Sequence, residues 1–201
     1  MGVVGGEQAH QADQHTLLAL ARQAVERAAH GRPRATESPA SQSAWLCTPL
    51  ASFVTLTTGG ALRGCIGGLY PTVPLAEDVQ MHAYAAARED PRFPPVQPEE
   101  LAAIQIEISV LSAPEPLVYS SPDDLLRRLR PGIDGVIVQS GRKRATFLPQ
   151  VWEKVPAPEA FLEFLCEKAA LAPDAWRTGE LEVFTYQVEL FEEDSPPSLT
   201  T

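Results

Sequence analysis

Ile104-Gln105-Ile106-Glu107-Ile108-Ser109-Val110-Leu111 alternates along its whole length. Successive side chains on a strand point to opposite faces, so Ile104, Ile106, Ile108 and Val110 form one row and Gln105, Glu107, Ser109 and Leu111 the other. The isoleucine row demands a core beneath it. The opposite row carries a carboxylate, Glu107, among large apolar neighbours. If that face lines a cleft, Glu107 is a general base or a partner for Arg63; if the face is wet, it is a solvated sheet residue.

The elements around this strand follow from the same patterning. Phe53 to Thr58 predicts a strand, Gly59-Gly60 a turn, and Ala61-Leu62-Arg63 the start of a second strand. Gly64, Gly67 and Gly68 mark a bulge or a close backbone approach there. Pro74 opens a helix with Leu75, Val79, Ala83 and Ala86 on one face, ending near Asp90-Pro91. Before these, Leu17, Leu18, Ala21, Val25 and Ala28 predict a first helix from Asp13 to His30, with residues 1–11 a frayed tail and 31–44 a loop. The stiff stretch Arg92-Phe93-Pro94-Pro95 docks on the core through its phenylalanine. After residue 111, a short strand is allowed at Leu117–Tyr119, and Ser121-Pro122-Asp123-Asp124 caps a short helix. Ile133 to Val138 pairs with Ala145 to Leu148, and Pro158 starts a helix with Phe161, Leu162, Leu165, Cys166 and Ala169 as its stripe. Leu181 to Leu190 closes the fold as one strand, and 193–201 is a tail. The order α-β-β-α-β-α-β-β-α-β lacks the regular βαβ repeat, which predicts an α+β fold with a mixed or largely antiparallel sheet and packed helices.

The chain has 201 residues and a formal net charge of −10. That charge opposes attraction to a phosphate backbone and argues against nucleic acid; the one short basic run, Arg142-Lys143-Arg144, reads as a solvated hairpin tip. Cys47, Cys65 and Cys166 are too few and too scattered for a disulfide framework, which fits a reducing compartment. The amino end lacks the pattern of a signal peptide, and no apolar run reaches the roughly 18 residues of a membrane span. The expectation is a cytoplasmic protein without a membrane segment.

Chemistry concentrates at Arg63-Gly64-Cys65-Ile66-Gly67. Cys65 sits between glycines and beside an arginine, and alternation places positions 63 and 65 on one side of a regular strand. A thiol needs a neighbouring base, cation or dipole to react at neutral pH. Cys65, Glu107 and Arg63 are therefore the candidate catalytic residues, with Gly64, Gly67, Asp90 and Arg92 as candidate ligand or cleft-lining residues. A structural or ligand-lining role for Cys65 is the alternative. Among the histidines, His82 is the best candidate base, with Asp78 one turn before it on the same face; the other reading is a helix-surface pair. Cys166 lies on a core stripe and Cys47 reads as a buried filler. No cysteine or histidine spacing suggests a metal site.

Leu62-Arg63-Gly64-Cys65-Ile66-Gly67 resembles the most specific motif of the AMMECR1 family, also described as protein A of the AmmeMemoRadiSam system. The segments Phe53-Val54-Thr55-Leu56, Asp90-Pro91-Arg92-Phe93-Pro94-Pro95, Glu107-Ile108-Ser109-Val110-Leu111 and Leu148-Pro149-Gln150-Val151-Trp152 follow in the family's order. The resemblance covers about residues 12–192 and implies a single domain of two unequal lobes with a cleft near Cys65. It maps the family's Arg and Cys onto Arg63 and Cys65, its strand glutamate onto Glu107, and its Asp-x-Arg element onto Asp90 and Arg92. An asparagine is common where this chain has His82. The resemblance also implies a radical SAM protein and a Memo-like protein as partners acting with an unknown small molecule, any radical SAM cofactor residing on the partner and none on this chain. Two roles stay open: a cysteine-dependent enzyme or enzyme subunit, and a noncatalytic ligand-binding or adaptor protein.

Overall fold

A computed structural model describes residues 3–35 and 43–193. They form an α+β fold in two compact units, one from the described residues up to 111 with 189–193 and the other from 112–188. The expected loop at 31–44 lies outside the described residues over 36–42, and the expected tail does so from 194 onward.

In the first unit, β1 (Ala51–Thr58), β2 (Ala61–Gly67), β3 (Ile104–Leu111) and β8 (Val188–Glu192) make a sheet of order β2-β1-β3-β8. β1 runs antiparallel to both neighbours. Gly59 and Gly60, at φ 58° and 80°, give the two left-handed residues that a tight hairpin turn requires. Val54, Leu56, Ile106 and Ile108 are fully buried on one face of this sheet. Their core is shared with α1 (Val3–Ala29) and α3 (Leu75–Arg88), through Leu17, Ala21, Val25 and Ala28 on α1 and Val79, Ala83 and Ala86 on α3. Small residues let the layers approach closely. A Cβ on Gly64 would stand 2.2 Å from the Ala86 carbonyl oxygen, so β2 lies against α3 only because that position has no side chain.

The structure departs from the sequence reading in several places. α1 begins at Val3, ten residues before the expected start. Its early turns are tied down at long range, by His10 and Gln14 to Glu189 and by the His10 ring 4.4 Å from Trp45. Cys47 is exposed rather than a buried filler; the short helix α2 (Ala44–Cys47) buries Leu46 instead. Val96, 1 % exposed, anchors the proline-rich connection in place of the expected Phe93.

The second unit holds β4 (Glu115–Pro116), β5 (Gly135–Ser140), β6 (Lys143–Phe147) and β7 (Glu182–Tyr186) in the order β4-β7-β5-β6, with α4 (Pro122–Arg128) and α5 (Pro158–Lys168). The named pairs in this sheet are antiparallel. α5 buries Phe161, Leu162, Leu165 and Cys166, as its stripe predicts, with Val136, Val138 and Val183 in the same cluster. Trp152 stacks flat on Phe161 at 3.6 Å and donates its indole N–H to the Asp134 carbonyl. The basic tip is not a bare cationic patch. Lys143 and Arg144 belong to β6, where Lys143 donates to the Ala170 carbonyl and Arg144 lies over the Phe184 ring. Leu181 to Leu190 is two strands in different sheets. Alternation runs through Gln187 unbroken in sequence, but the Gln187 N–H donates to Ser112 Oγ and its carbonyl accepts from the Ser112 N–H. Those bonds separate β7 from β8.

G64A should lower stability by about 1–3 kcal/mol, because the new methyl meets backbone and neither layer can yield without strain. G68A, whose Cβ would have only ordinary contact with His82 at 3.6 Å, should stay within about 0.5 kcal/mol of wild type. Denaturant midpoints of the two variants check this.

Candidate functional site

The β1–β2 hairpin is not regular. Thr58 faces Ala61 and Thr57 faces Leu62, but Leu56 faces Gly64 and Thr55 faces Cys65. Arg63 is the extra residue of a bulge. Without it, Gly64 would stand opposite Thr55, and Cys65 would turn toward α3 with Val54. One inserted residue thus moves the thiol to the other face of the sheet. The same insertion defeats the expectation that Arg63 and Cys65 share a side by simple alternation. The Arg63 guanidinium forms a two-pronged ion pair with Glu100, at 2.7 and 3.0 Å, and donates to the Pro94 carbonyl. It holds Glu100 below the usual carboxylate range and is not the partner of Glu107. Arg63 pins the bulge.

Across β2, β1 and β3, the register aligns Cys65, Thr55 and Glu107 in one row. The Thr55 hydroxyl donates to the Cys65 sulfur at 3.5 Å. Cys65 turns its backbone N–H and C=O away from β1, so it and Thr55 form the close, non-hydrogen-bonded type of pair, with Cα atoms about 4.5 Å apart. Thr55 and Glu107 are then the bonded type at about 5.5 Å. The Glu107 carboxyl has no hydrogen-bond or ion-pair partner among the described residues. Its carboxyl is held above the usual glutamate range, first by burial and then by the charge of Glu192. Thr55, which sequence reasoning overlooked, is the bridge of the row; counting back from Gly59-Gly60 without the bulge pairs it with Gly64.

β2 is an edge strand, and the outward N–H and C=O of Cys65 need partners. Asp90 Oδ2 accepts the Cys65 N–H at 2.9 Å, and Arg92 Nη2 donates to the Cys65 carbonyl at 3.0 Å. Asp90 in turn accepts from the Arg92 backbone N–H, Nε and Nη2, so carboxylate and guanidinium form one rigid bracket. Asp90 is 4 % exposed. The Arg92 bonds, against the cost of burial, hold its carboxyl well below the usual range. Of the expected lining residues, Asp90 and Arg92 reach Cys65, whereas Gly64 and Gly67 provide room. Gly67 makes way for the Phe53 ring, 2.3 Å from where a Cβ would sit.

His82 stands apart from this row. Gly64 turns toward α3, so Cys65 turns away from it, and the sheet separates the thiol from the α3 histidine. Nor is His82 in a surface pair. Asp78 is 3 % exposed, and its Oδ2 accepts from Ser52 Oγ at 2.6 Å and meets His82 Nδ1 at 3.1 Å. The cluster ties α3 to β1.

With this arrangement defined, the comparisons with known proteins decide kinship. A sequence model described as AMMECR1 matches residues 18–191. The chain belongs to the AMMECR1 family. A Thermococcus gammatolerans relative is 40 % identical over 190 residues, covering 90 % of each chain. A Thermofilum pendens protein is 48 % identical over 140 residues, and the match spans 64 % of that relative's length and 67 % of this chain. Among solved structures, the crystal structure of the uncharacterized protein PH0010 from Pyrococcus horikoshii superposes with a TM-score of 0.79 at 37 % identity, covering 90 % of this chain and 91 % of the other. These AMMECR1 relatives support the shared fold and assign no reaction. Among the described residues, no helix is long and apolar enough to cross a membrane.

Because burial raises Glu107, its charge opposes folding. The contribution of the neutral acid is complete below the ordinary glutamate range, near pH 4, and is lost as pH rises through the elevated titration of the folded state. E107Q should therefore raise the melting temperature at pH 7 and leave it unchanged near pH 3. Paired thermal melts at the two pH values measure this.

Proposed function

We propose that this protein is a cysteine-dependent enzyme or enzyme subunit in which Cys65 is the nucleophile and Glu107 the proton carrier. The observation that supports the reading best is the row of Cys65, Thr55 and Glu107 across three strands, with the sulfur accepting from Thr55 and the carboxyl raised by burial. A carboxyl that exchanges its proton closer to neutrality suits acid–base work. In the simplest step, the thiol proton passes to Glu107, sulfur forms a bond to an electrophilic carbon, and the leaving group departs with the proton that Glu107 returns. Arg63 takes no part in this step. It acts through the bulge, and Arg92 and Asp90 act at the Cys65 backbone.

The reading extends the family resemblance to a small-molecule substrate handled with a radical SAM protein and a Memo-like protein, the cofactor residing on the former. A noncatalytic role for the same face has one observation in its favour: both nearby guanidiniums are already engaged, Arg63 by Glu100 and Arg92 by Asp90. That state suits a fixed docking surface.

Metabolite turnover by the protein with both partners separates the two. C65A should abolish turnover, and E107Q should lower it about 10²-fold or more. Folded C65A with full turnover would sink the nucleophile. Partner binding that survives C65S, with no cysteine-dependent turnover, would assign the face to binding.

A further inference from the structure

Beyond β4 the chain follows β7 for one more residue. The Leu117 N–H donates to the Val183 carbonyl, continuing the register of Glu115 with Thr185 and Pro116 with Phe184. The chain then draws away, and its next bond in that direction comes from a side chain, the Tyr119 hydroxyl donating to the Leu181 carbonyl at 2.7 Å. A groove of about 420 Å³ opens where the two segments part, lined by Leu117, Val118, Leu181, Val183 and Phe184 among others. Val118 is 79 % exposed there. We infer that this edge of the second unit's sheet is a docking site for an extended peptide segment of a partner, one that alternates apolar and basic residues and adds itself as a strand beside β4. The inference does not rest on chemistry at Cys65.

Backbone parity decides which groups are open. Residues of a strand direct their N–H and C=O alternately to one side and the other. Leu117 faces β7, so Pro116 and Val118 face outward from the sheet, of which β4 is an edge. The Val118 N–H has no partner among the described residues. Other edge strands are treated differently. Asp90 and Arg92 hold the outward groups of Cys65 on β2, and Lys168 donates to the Thr146 carbonyl on β6. A strand arriving at β4 meets the Pro116 carbonyl and both groups of Val118, while the groove receives alternate side chains. In this mode main-chain bonds supply affinity and pockets supply specificity. The rim sets the charge of the occupant. Glu115, Glu180 and Glu182 are exposed and form no ion pair among the described residues; Glu182 accepts from the neutral Gln139 amide. Even with Arg144 over the Phe184 ring, negative charge is in excess, and basic residues on the peptide complement it. A second copy of this chain would set the same carboxylates against each other across a two-fold axis, which disfavours self-pairing.

The probe is a fluorescein-labelled peptide of alternating lysine and valine, about nine residues long, titrated with the full chain while anisotropy is read. Binding should saturate with a Kd of about 100 µM or tighter at low salt and weaken about tenfold at about 0.5 M salt. A glutamate–valine peptide of the same length should bind at least about tenfold more weakly. V118P removes the outward N–H and suits an extended backbone, and it should weaken binding about fivefold or more. In the wild-type chain, site-resolved hydrogen exchange should show the Val118 amide slowed by the peptide. The inference is overturned by no saturation up to about 1 mM peptide, by equal binding of both peptides, by undiminished binding to V118P, or by protection that misses residues 115–118. If V118P does not fold, the wild-type exchange pattern carries the test. Self-association of the chain that the peptide disperses would assign the edge to a second copy and likewise overturn it. No readout involves a thiol, so failure here is separate from failure of the C65A turnover test.

Discussion

One extra residue in a hairpin governs the site. The turn at Gly59-Gly60 fixes the register of β1 and β2, and a regular pairing from it would bury Cys65 against α3. The bulge at Arg63 reverses the parity of every later residue in β2. Gly64 then meets the helix, where no side chain fits, and Cys65 reaches the face that carries Thr55 and Glu107. The glycine and the bulge require each other. The parity shift brings position 64 against the Ala86 carbonyl, and only glycine tolerates that place.

Two ion pairs hold this geometry from outside the sheet. Arg63–Glu100 secures the bulge, and Arg92–Asp90 secures the outward backbone of Cys65. A protein ordinarily guards an exposed strand edge against pairing with another strand. Here the side chains of Asp90 and Arg92 occupy the hydrogen-bonding positions at Cys65 that a neighbouring strand would use. The same two residues guard the edge and fix the backbone of Cys65. With both guanidiniums matched, Glu107 is left as the carboxylate of its row without a cation, and its neighbour Glu192 adds to the imbalance.

The sequence made some of this legible and hid the rest for identifiable reasons. Ile104 to Leu111 is a strand with the bounds and faces that its alternation predicts, because a period of two over eight residues is a strong local signal. The α5 stripe and the glycine turn read equally well. The start of α1 did not, since its anchors are Glu189 and Trp45, remote in sequence. The break at Gln187 escaped notice because local alternation continues through it while the hydrogen bonds to Ser112 end it. At the site, the motif glycines signalled a bulge or close approach, and the structure contains both. What no local pattern reveals is which residue is the inserted one. Hence alternation alone hides Thr55 and points Arg63 toward the thiol. Glu100 escaped for a similar reason: its short helical turn advertises a capping role toward Gln97, not a partner on β2.

The first unit draws its fourth strand from the far end of the chain. β8 lies beside β3, and Glu193, just beyond it, accepts the Ile106 N–H and pairs with Arg22 on α1. Residues 112–187, all but the last residue of the second unit, lie between β3 and its final neighbour. During synthesis the ribosome therefore releases the helices, β1, β2 and β3 early, then builds an entire second unit before supplying the strand that covers the open side of β3. The inserted unit is contiguous and can condense as it emerges, while the unit bearing Cys65 must wait, one edge of β3 exposed, until β8 follows. The segment before the insertion is made first, but its sheet is completed only after the insertion.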